Sequence, residues 1–166
     1  LGDAPYPLPT AIAQDGARHI ATGPTLGTAR DTERDGQPSD HADGDDVTGS
    51  ADDGDGVAFG PLRPGMSLGT VAVNASEPAR LDAWIDFNDD YDLTLDEIIL
   101  SDFEMADAGQ LYTVPVEIPT DATPGLHYMR ARTNWLGSSN DPCEEYTYGE
   151  AEDYYVLIGT AEAGAL

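Results

Sequence analysis

From Val57 onward, apolar and polar residues alternate with a period of two. Leu81, Ala83, Ile85 and Phe87 are separated by Asp82, Trp84 and Asp86, a spacing that predicts a half-buried strand. Tyr112, Val114, Val116 and Ile118 share one face of a second strand, and Leu111, Thr113, Pro115 and Glu117 share the other. Pro115 has no N–H for a ladder and places that strand near an edge. Further strands are expected at 68–73, 98–103, 126–133 and 154–158, separated by turn-forming residues at 76–78, 107–109 and 121–125. Short strands about ten residues apart, with no helical pattern beyond one turn, predict an all-β fold: an antiparallel β-sandwich of jelly-roll or Ig-like type.

The chain before Val57 has neither period. Residues 1–56 are rich in Pro, Gly, Asp and Thr and read as a long acidic loop segment packed on the sandwich, ordered or dependent on metal for its order. The expected organisation is one domain over 1–158, with sandwich strands from 57 and a linker or tail at 159–166. Residues 134–149 lie between two predicted strands and are too many for an ordinary hairpin, which makes them a candidate functional loop.

Charge narrows the possible partners. The 166 residues include 32 acidic and 7 basic side chains, all seven Arg, for a net charge of -25. So few cations cannot displace the counterions of a nucleic acid, and an anionic membrane surface is excluded for the same reason. No apolar run approaches the roughly 20 residues that span a bilayer, so membrane insertion is not expected. Leu1 opens a Pro-rich stretch with no signal-like apolar region. The chain therefore reads as a module of a longer parent, with any secretion signal removed or upstream. The single Cys143 cannot form an internal disulfide; it is free, buried or crosslinked to another chain.

The acidic residues are clustered. Ten lie between Asp31 and Asp55 and nine between Asp86 and Asp107. Clustered carboxylates suit a hard cation such as calcium, which takes six to eight oxygens, and a solvated acidic coat is the other reading of the same composition. The strongest local pattern puts Asp86, Asn88, Asp90 and Asp92 at alternate positions, with Thr94 ninth and Glu97 twelfth. That is the order of oxygen ligands in a calcium loop. Tyr91 stands where such loops carry Gly, and a strand rather than a helix precedes Asp86, so a strand-loop-strand site is expected in place of an EF-hand. A second group comprises Asp43, Asp45 and Asp46 with Asp53 and Asp55, interleaved with Gly. A third comprises Glu150, Glu152 and Asp153, where Glu150 and Glu152 share one face of an extended segment. Their partner is either calcium or the alternating pair Arg130 and Arg132.

These segments together resemble the GEVED domain family. Its name-giving motif reads here Gly149, Glu150, Ala151, Glu152, Asp153 and Tyr154, with Ala151 in place of Val. The resemblance extends to residues 1–5, 16–19, 35–38, 43–46, 53–57, 83–88 and 121–125. It implies a β-sandwich module of large secreted or cell-surface bacterial proteins, found beside adhesin-like repeats and sometimes enzymes. It implies no catalysis. It also implies calcium ligation at Asp43, Asp45, Asp46, Asp53 and Asp55, and at Asp86, Asn88 and Asp90.

His19, His41 and His127 have no metal-motif partner in sequence, so neither a zinc site nor a Ser-His-Asp triad is expected. Trp135, Tyr146 and Tyr148 sit in the long loop, where aromatics either roof the core or present a binding surface. The expectation is a non-enzymatic, calcium-binding extracellular module that serves as a structural or adhesive spacer. Its partners would be the neighbouring domains of its parent. The alternative is an accessory module that binds a polysaccharide or a cell-surface protein through 134–149.

Overall fold

Alternation in the sequence becomes alternation of burial at residues 69–73 and 112–116. The computed structural model describes residues 1–30, 32, 34–44, 56–137 and 140–160. In chain order the strands are β1 Arg18–His19, β2 Val57–Phe59, β3 Gly69–Val73, β4 Ala79–Ile85, β5 Ile98–Met105, β6 Tyr112–Val116, β7 Gly125–Asn134, β8 Glu145–Tyr146 and β9 Glu150–Ile158. Short 3-10 turns lie at Ile12–Gln14 and Leu95–Glu97.

Two antiparallel sheets form the body of the sandwich. One has the order β2-β3-β6 and the other β5-β4-β7-β9, and β1 pairs with β8 in a small parallel ribbon. Pro115 lies on β6, at a sheet edge as expected from its missing N–H. Val71, Val73 and Val116 from the first sheet join Leu81, Ala83, Ile85, Met129, Ala131, Val156 and Ile158 from the second in one apolar cluster. Burial of these side chains is the main force holding the sheets together.

The four-stranded sheet departs from the half-buried strand that alternation predicts. Asp82, Trp84 and Asp86 are as deeply buried as Leu81, Ala83 and Ile85. The cause is the N-terminal segment, which lies over the outer face of this sheet. There Ala4 and Leu8 pack with Trp84 and Leu93 in a second apolar cluster, flanked by Ile98 and Tyr128. Asp82 tolerates its burial because its Oδ1 accepts the Asp102 N–H at 2.8 Å, beside a register shift between β4 and β5. Among the described residues no helix is long and apolar enough to cross a membrane.

Candidate metal centre

β4 delivers Asp86 to the end of the sandwich, and the chain then turns back on itself before β5. The turn is organised by Asp86: its Oδ1 accepts the Asp90 N–H at 3.2 Å and its Oδ2 the Tyr91 N–H at 3.0 Å. Asn88 Oδ1 also accepts the Asp90 N–H, at 2.8 Å, and Asp90 Oδ1 accepts the Asp92 N–H at 3.0 Å. Each short acidic or amide side chain thus closes a local ring with backbone ahead of it, which is why these residue types suit so tight a loop. Glu97 closes the far side. Its Oε1 accepts the Phe87 N–H at 3.1 Å, and its Oε2 accepts the Thr94 N–H at 3.0 Å and hydroxyl at 3.1 Å.

This folding brings ligand atoms of Asp86, Asp90 and Glu97 within 4.8 Å of one another. Asp86 and Glu97 are buried, whereas Asp90, Asn88 and Asp92 are exposed. Burial pushes the Asp86 carboxyl upward; backbone N–H groups oppose this in part, and the Asp89 and Asp90 charges add to it. Glu97 is likewise raised by burial, countered by its bonds to Thr94, with Asp86 and Asp90 pushing the same way as burial. Among the described residues no Arg pairs with Asp86, Asp90 or Glu97. Converging carboxylates, all oxygen donors and two of them desolvated, fit a hard divalent cation such as calcium. The groups that would hold it are Asp86, Asp90 and Glu97, with Asn88 and Asp92 at the mouth of the loop.

His127 joins this centre without a sequence signature that ties it there. It is fully buried under the loop, with Nδ1 2.7 Å from the Asp86 carbonyl and 3.0 Å from Asp89 Oδ1, and Nε2 2.7 Å from the Thr123 carbonyl. Thr123 in turn donates its hydroxyl to the Phe87 carbonyl and to Asp89, both at 3.1 Å. These contacts tie the loop to the start of β7. No linear motif could have indicated them, because they cross from one strand end to another.

Tyr91, the departure from Gly, takes a left-handed backbone with φ 63°. Its ring lies 6.1 Å from that of Tyr128, which stacks on Tyr155 at 5.1 Å, and Tyr155 meets His41 edge-on at 5.6 Å. Tyr128 also donates its hydroxyl to the Asp40 carbonyl at 3.0 Å, and burial pushes that phenol up to about 12. A ladder of rings therefore connects the carboxylate loop to the N-terminal segment near Asp43.

Of the other expected ligands, Asp43, Glu150, Glu152 and Asp153 are among the described residues and lie outside this cluster. Asp43 accepts the Ser39 hydroxyl at 2.7 Å, and Asp45, Asp46, Asp53 and Asp55 lie outside the described residues. Asp153 faces Arg130 on the outer side of the sheet in a buried pair with Oδ1 2.7 Å and Oδ2 2.8 Å from the guanidinium. The register pairs Arg130 with Asp153 and Arg132 with Ala151, which turns Glu150 and Glu152 to the other face of the strand. Glu150 instead accepts the Leu26 N–H at 2.7 Å and sits 3.5 Å from Arg30. Glu152 is buried beside Glu150 along a small cavity that Arg30 also lines.

Of the three loop aromatics, Tyr146 lies under the Arg132 guanidinium, 4.2 Å from the ring centroid. Trp135 and Tyr148 pair with each other at 4.9 Å, away from the carboxylate loop. Arg132 also donates to the Asp141 and Glu144 carbonyls, fixing the loop from beneath.

Residues 80–157 match the GEVED domain family. This segment belongs to that family. It contains the carboxylate loop, both ends of the aromatic ladder's sheet-borne part, and the motif at 149–154. No curated protein and no solved structure matches the chain.

Within the GEVED segment the motif has a clear structural task. Gly149 takes φ 107°, and a Cβ there would lie 1.8 Å from the Thr133 carbonyl oxygen, so only glycine fits. Glu150 holds the chain at Leu26 and Arg30, and Asp153 holds Ala4, whose N–H it accepts at 2.9 Å. Arg130, clamped by Asp153, donates onward to the Pro9 carbonyl at 2.7 Å and to the Thr10 hydroxyl at 3.3 Å. The motif is thus the anchor of the N-terminal segment.

Proposed function

We propose that this chain is a calcium-binding, non-catalytic module of a larger secreted or cell-surface bacterial protein, in which it acts as a structural or adhesive spacer between neighbouring domains. The observation that carries this reading is the convergence of Asp86, Asp90 and Glu97 within 4.8 Å, two of them buried and without an arginine among the described residues to neutralise them. A cation there would relieve the mutual repulsion of the carboxylates and the cost of their burial, and calcium is abundant outside cells. Net charge adds to the case, because -25 on a single small domain opposes compaction unless cations offset it.

The modular character of the GEVED family supports the spacer role, since a spacer needs rigidity more than a reactive group. Rigidity here would come from calcium fixing the loop, which shares Leu93 and Tyr91 with the outer face, where the N-terminal segment lies. The test is thermal unfolding of the full chain with millimolar calcium and with chelator. The reading expects a higher midpoint in calcium, with magnesium giving a smaller gain. Equal midpoints in calcium and chelator would refute it.

A further inference from the structure

We infer that the surface around Trp135 binds a neutral polysaccharide chain, with successive sugar rings in the two concavities that Trp135 lines. Trp135 is 42% exposed and pairs with Tyr148, itself 37% exposed, at a centroid distance of 4.9 Å and an angle of 43° between planes. The pair is held in place. Trp135 Nε1 donates to Glu77 Oε2 at 3.3 Å, and Gly23 lies so close behind the pair that a Cβ there would be 3.2 Å from the Tyr148 Cβ and 3.4 Å from the Trp135 indole. Fixed exposed aromatics bind with little loss of side-chain freedom and offer flat apolar faces to the C–H side of a sugar ring.

Trp135 borders two cavities. One, of about 200 Å3, is shared with Asn134, Glu145 and Tyr148; the other, of about 260 Å3, is shared with Arg80 and Glu104. Two small concavities meeting at one indole suit successive units of a chain better than a single compact ligand. Asn134 supplies an independent indication. It is 4% exposed, its Oδ1 accepts the Leu136 and Gly137 N–H groups, and its Nδ2 has no hydrogen-bond partner, an unusual state for a buried donor. A hydroxyl, which both donates and accepts, would satisfy it.

Charge decides which polysaccharide. Glu77, Glu104 and Glu145 border the surface and the whole chain carries -25, so uronic or sulfated chains are repelled. A neutral glycan remains, and its hydroxyl donors match the acceptor-rich rim. None of these residues belongs to the carboxylate loop, so this inference stands apart from the calcium reading.

The test is native affinity electrophoresis of the full chain, in calcium, through gels containing mixed-linkage β-glucan, xyloglucan or galactomannan, with polygalacturonate as the charged control. The inference expects retardation by at least one neutral polymer and none by polygalacturonate. Trp135→Ala should weaken the interaction by about tenfold or more. Leu126→Ala, at an exposed position elsewhere, should leave it unchanged. A second measurement needs no variant: Trp84 is 1% exposed, so acrylamide quenching reads Trp135, and the binding polymer should reduce it. Failure of every neutral polymer to retard the protein or protect Trp135 would overturn the inference. So would retardation that survives Trp135→Ala, or binding to polygalacturonate alone.

Discussion

Tyr91 holds a left-handed backbone at φ 63° and sets its ring 6.1 Å from that of Tyr128. The backbone costs roughly 1–2 kcal/mol for a side-chain-bearing residue. An aromatic pair returns about 0.5–1.5 kcal/mol. The two effects nearly cancel, which accounts for a tyrosine where the bend itself favours glycine. Tyr91→Gly should therefore unfold within about 1 kcal/mol of the parent protein, while Tyr91→Ala, which keeps the backbone cost and loses the ring, should fall about 1 kcal/mol or more below the glycine variant. Urea unfolding of both variants checks the order.

Arg130 and Asp153 are each 1% exposed at the side chain and joined by two hydrogen bonds. Burial alone would lower the Arg130 pKa, but the charge and hydrogen bonds of Asp153, with a contribution from Cys143, together outweigh it, so the guanidinium stays charged. Replacing Asp153 by Ala leaves a buried cation and frees the Ala4 N–H, and should destabilise the fold by about 3–5 kcal/mol. Limited proteolysis should then cut within residues 1–10 first, since Pro9 and Thr10 hang on the same arginine. Cleavage elsewhere in the chain before the N-terminal segment would count against this anchor.

His19 predicts an acid-side loss of stability. Its Nδ1 lies 2.9 Å from the Tyr148 carbonyl and its Nε2 3.3 Å from Arg132, and burial, with help from the arginine, depresses its pKa to about 3. In the unfolded chain it takes up a proton near the ordinary value of about 6.5. Between those limits the unfolded state binds more protons than the folded one, so stability falls as pH drops from about 6.5 towards about 3. His19→Gln, whose amide can also donate at one end and accept at the other, should flatten this part of the pH profile of the urea midpoint.

Asp86 and Glu97 predict the opposite trend in chelator. Burial raises both carboxyls, so in the metal-free protein their contribution improves as pH falls through their raised values towards the unfolded ones. Calcium needs both groups ionised, and protons compete with it. The gain in melting temperature from calcium should therefore be greatest near neutrality and shrink on acidification. A calcium-dependent shift constant from pH 7 to pH 4 would contradict the assignment.

Much of this was legible in the sequence. The alternation at 81–87 and 112–118 marked strands β4 and β6, and the spacing from Asp86 to Glu97 marked a loop whose carboxylates do converge. The burial of Asp82 and Trp84 was not legible, because the segment that covers them has no periodic pattern and is placed by single contacts from Ala4, Leu8 and Arg130. The partners of the Glu150–Asp153 run depended on pairing register. A strand turns adjacent residues to opposite faces, and only the alignment of β7 with β9 sends Arg130 to Asp153 and leaves Glu150 to Arg30.

The proposed occupant of the loop from Asp86 to Glu97 is calcium. Isothermal titration of the metal-free chain with calcium, beside Asp86→Asn and Glu97→Gln, decides whether it binds there. A saturable binding event should appear in the parent protein and be lost or weakened by at least about tenfold, near 1.4 kcal/mol, in each variant. No binding in the parent, or undiminished binding in both variants, would contradict it.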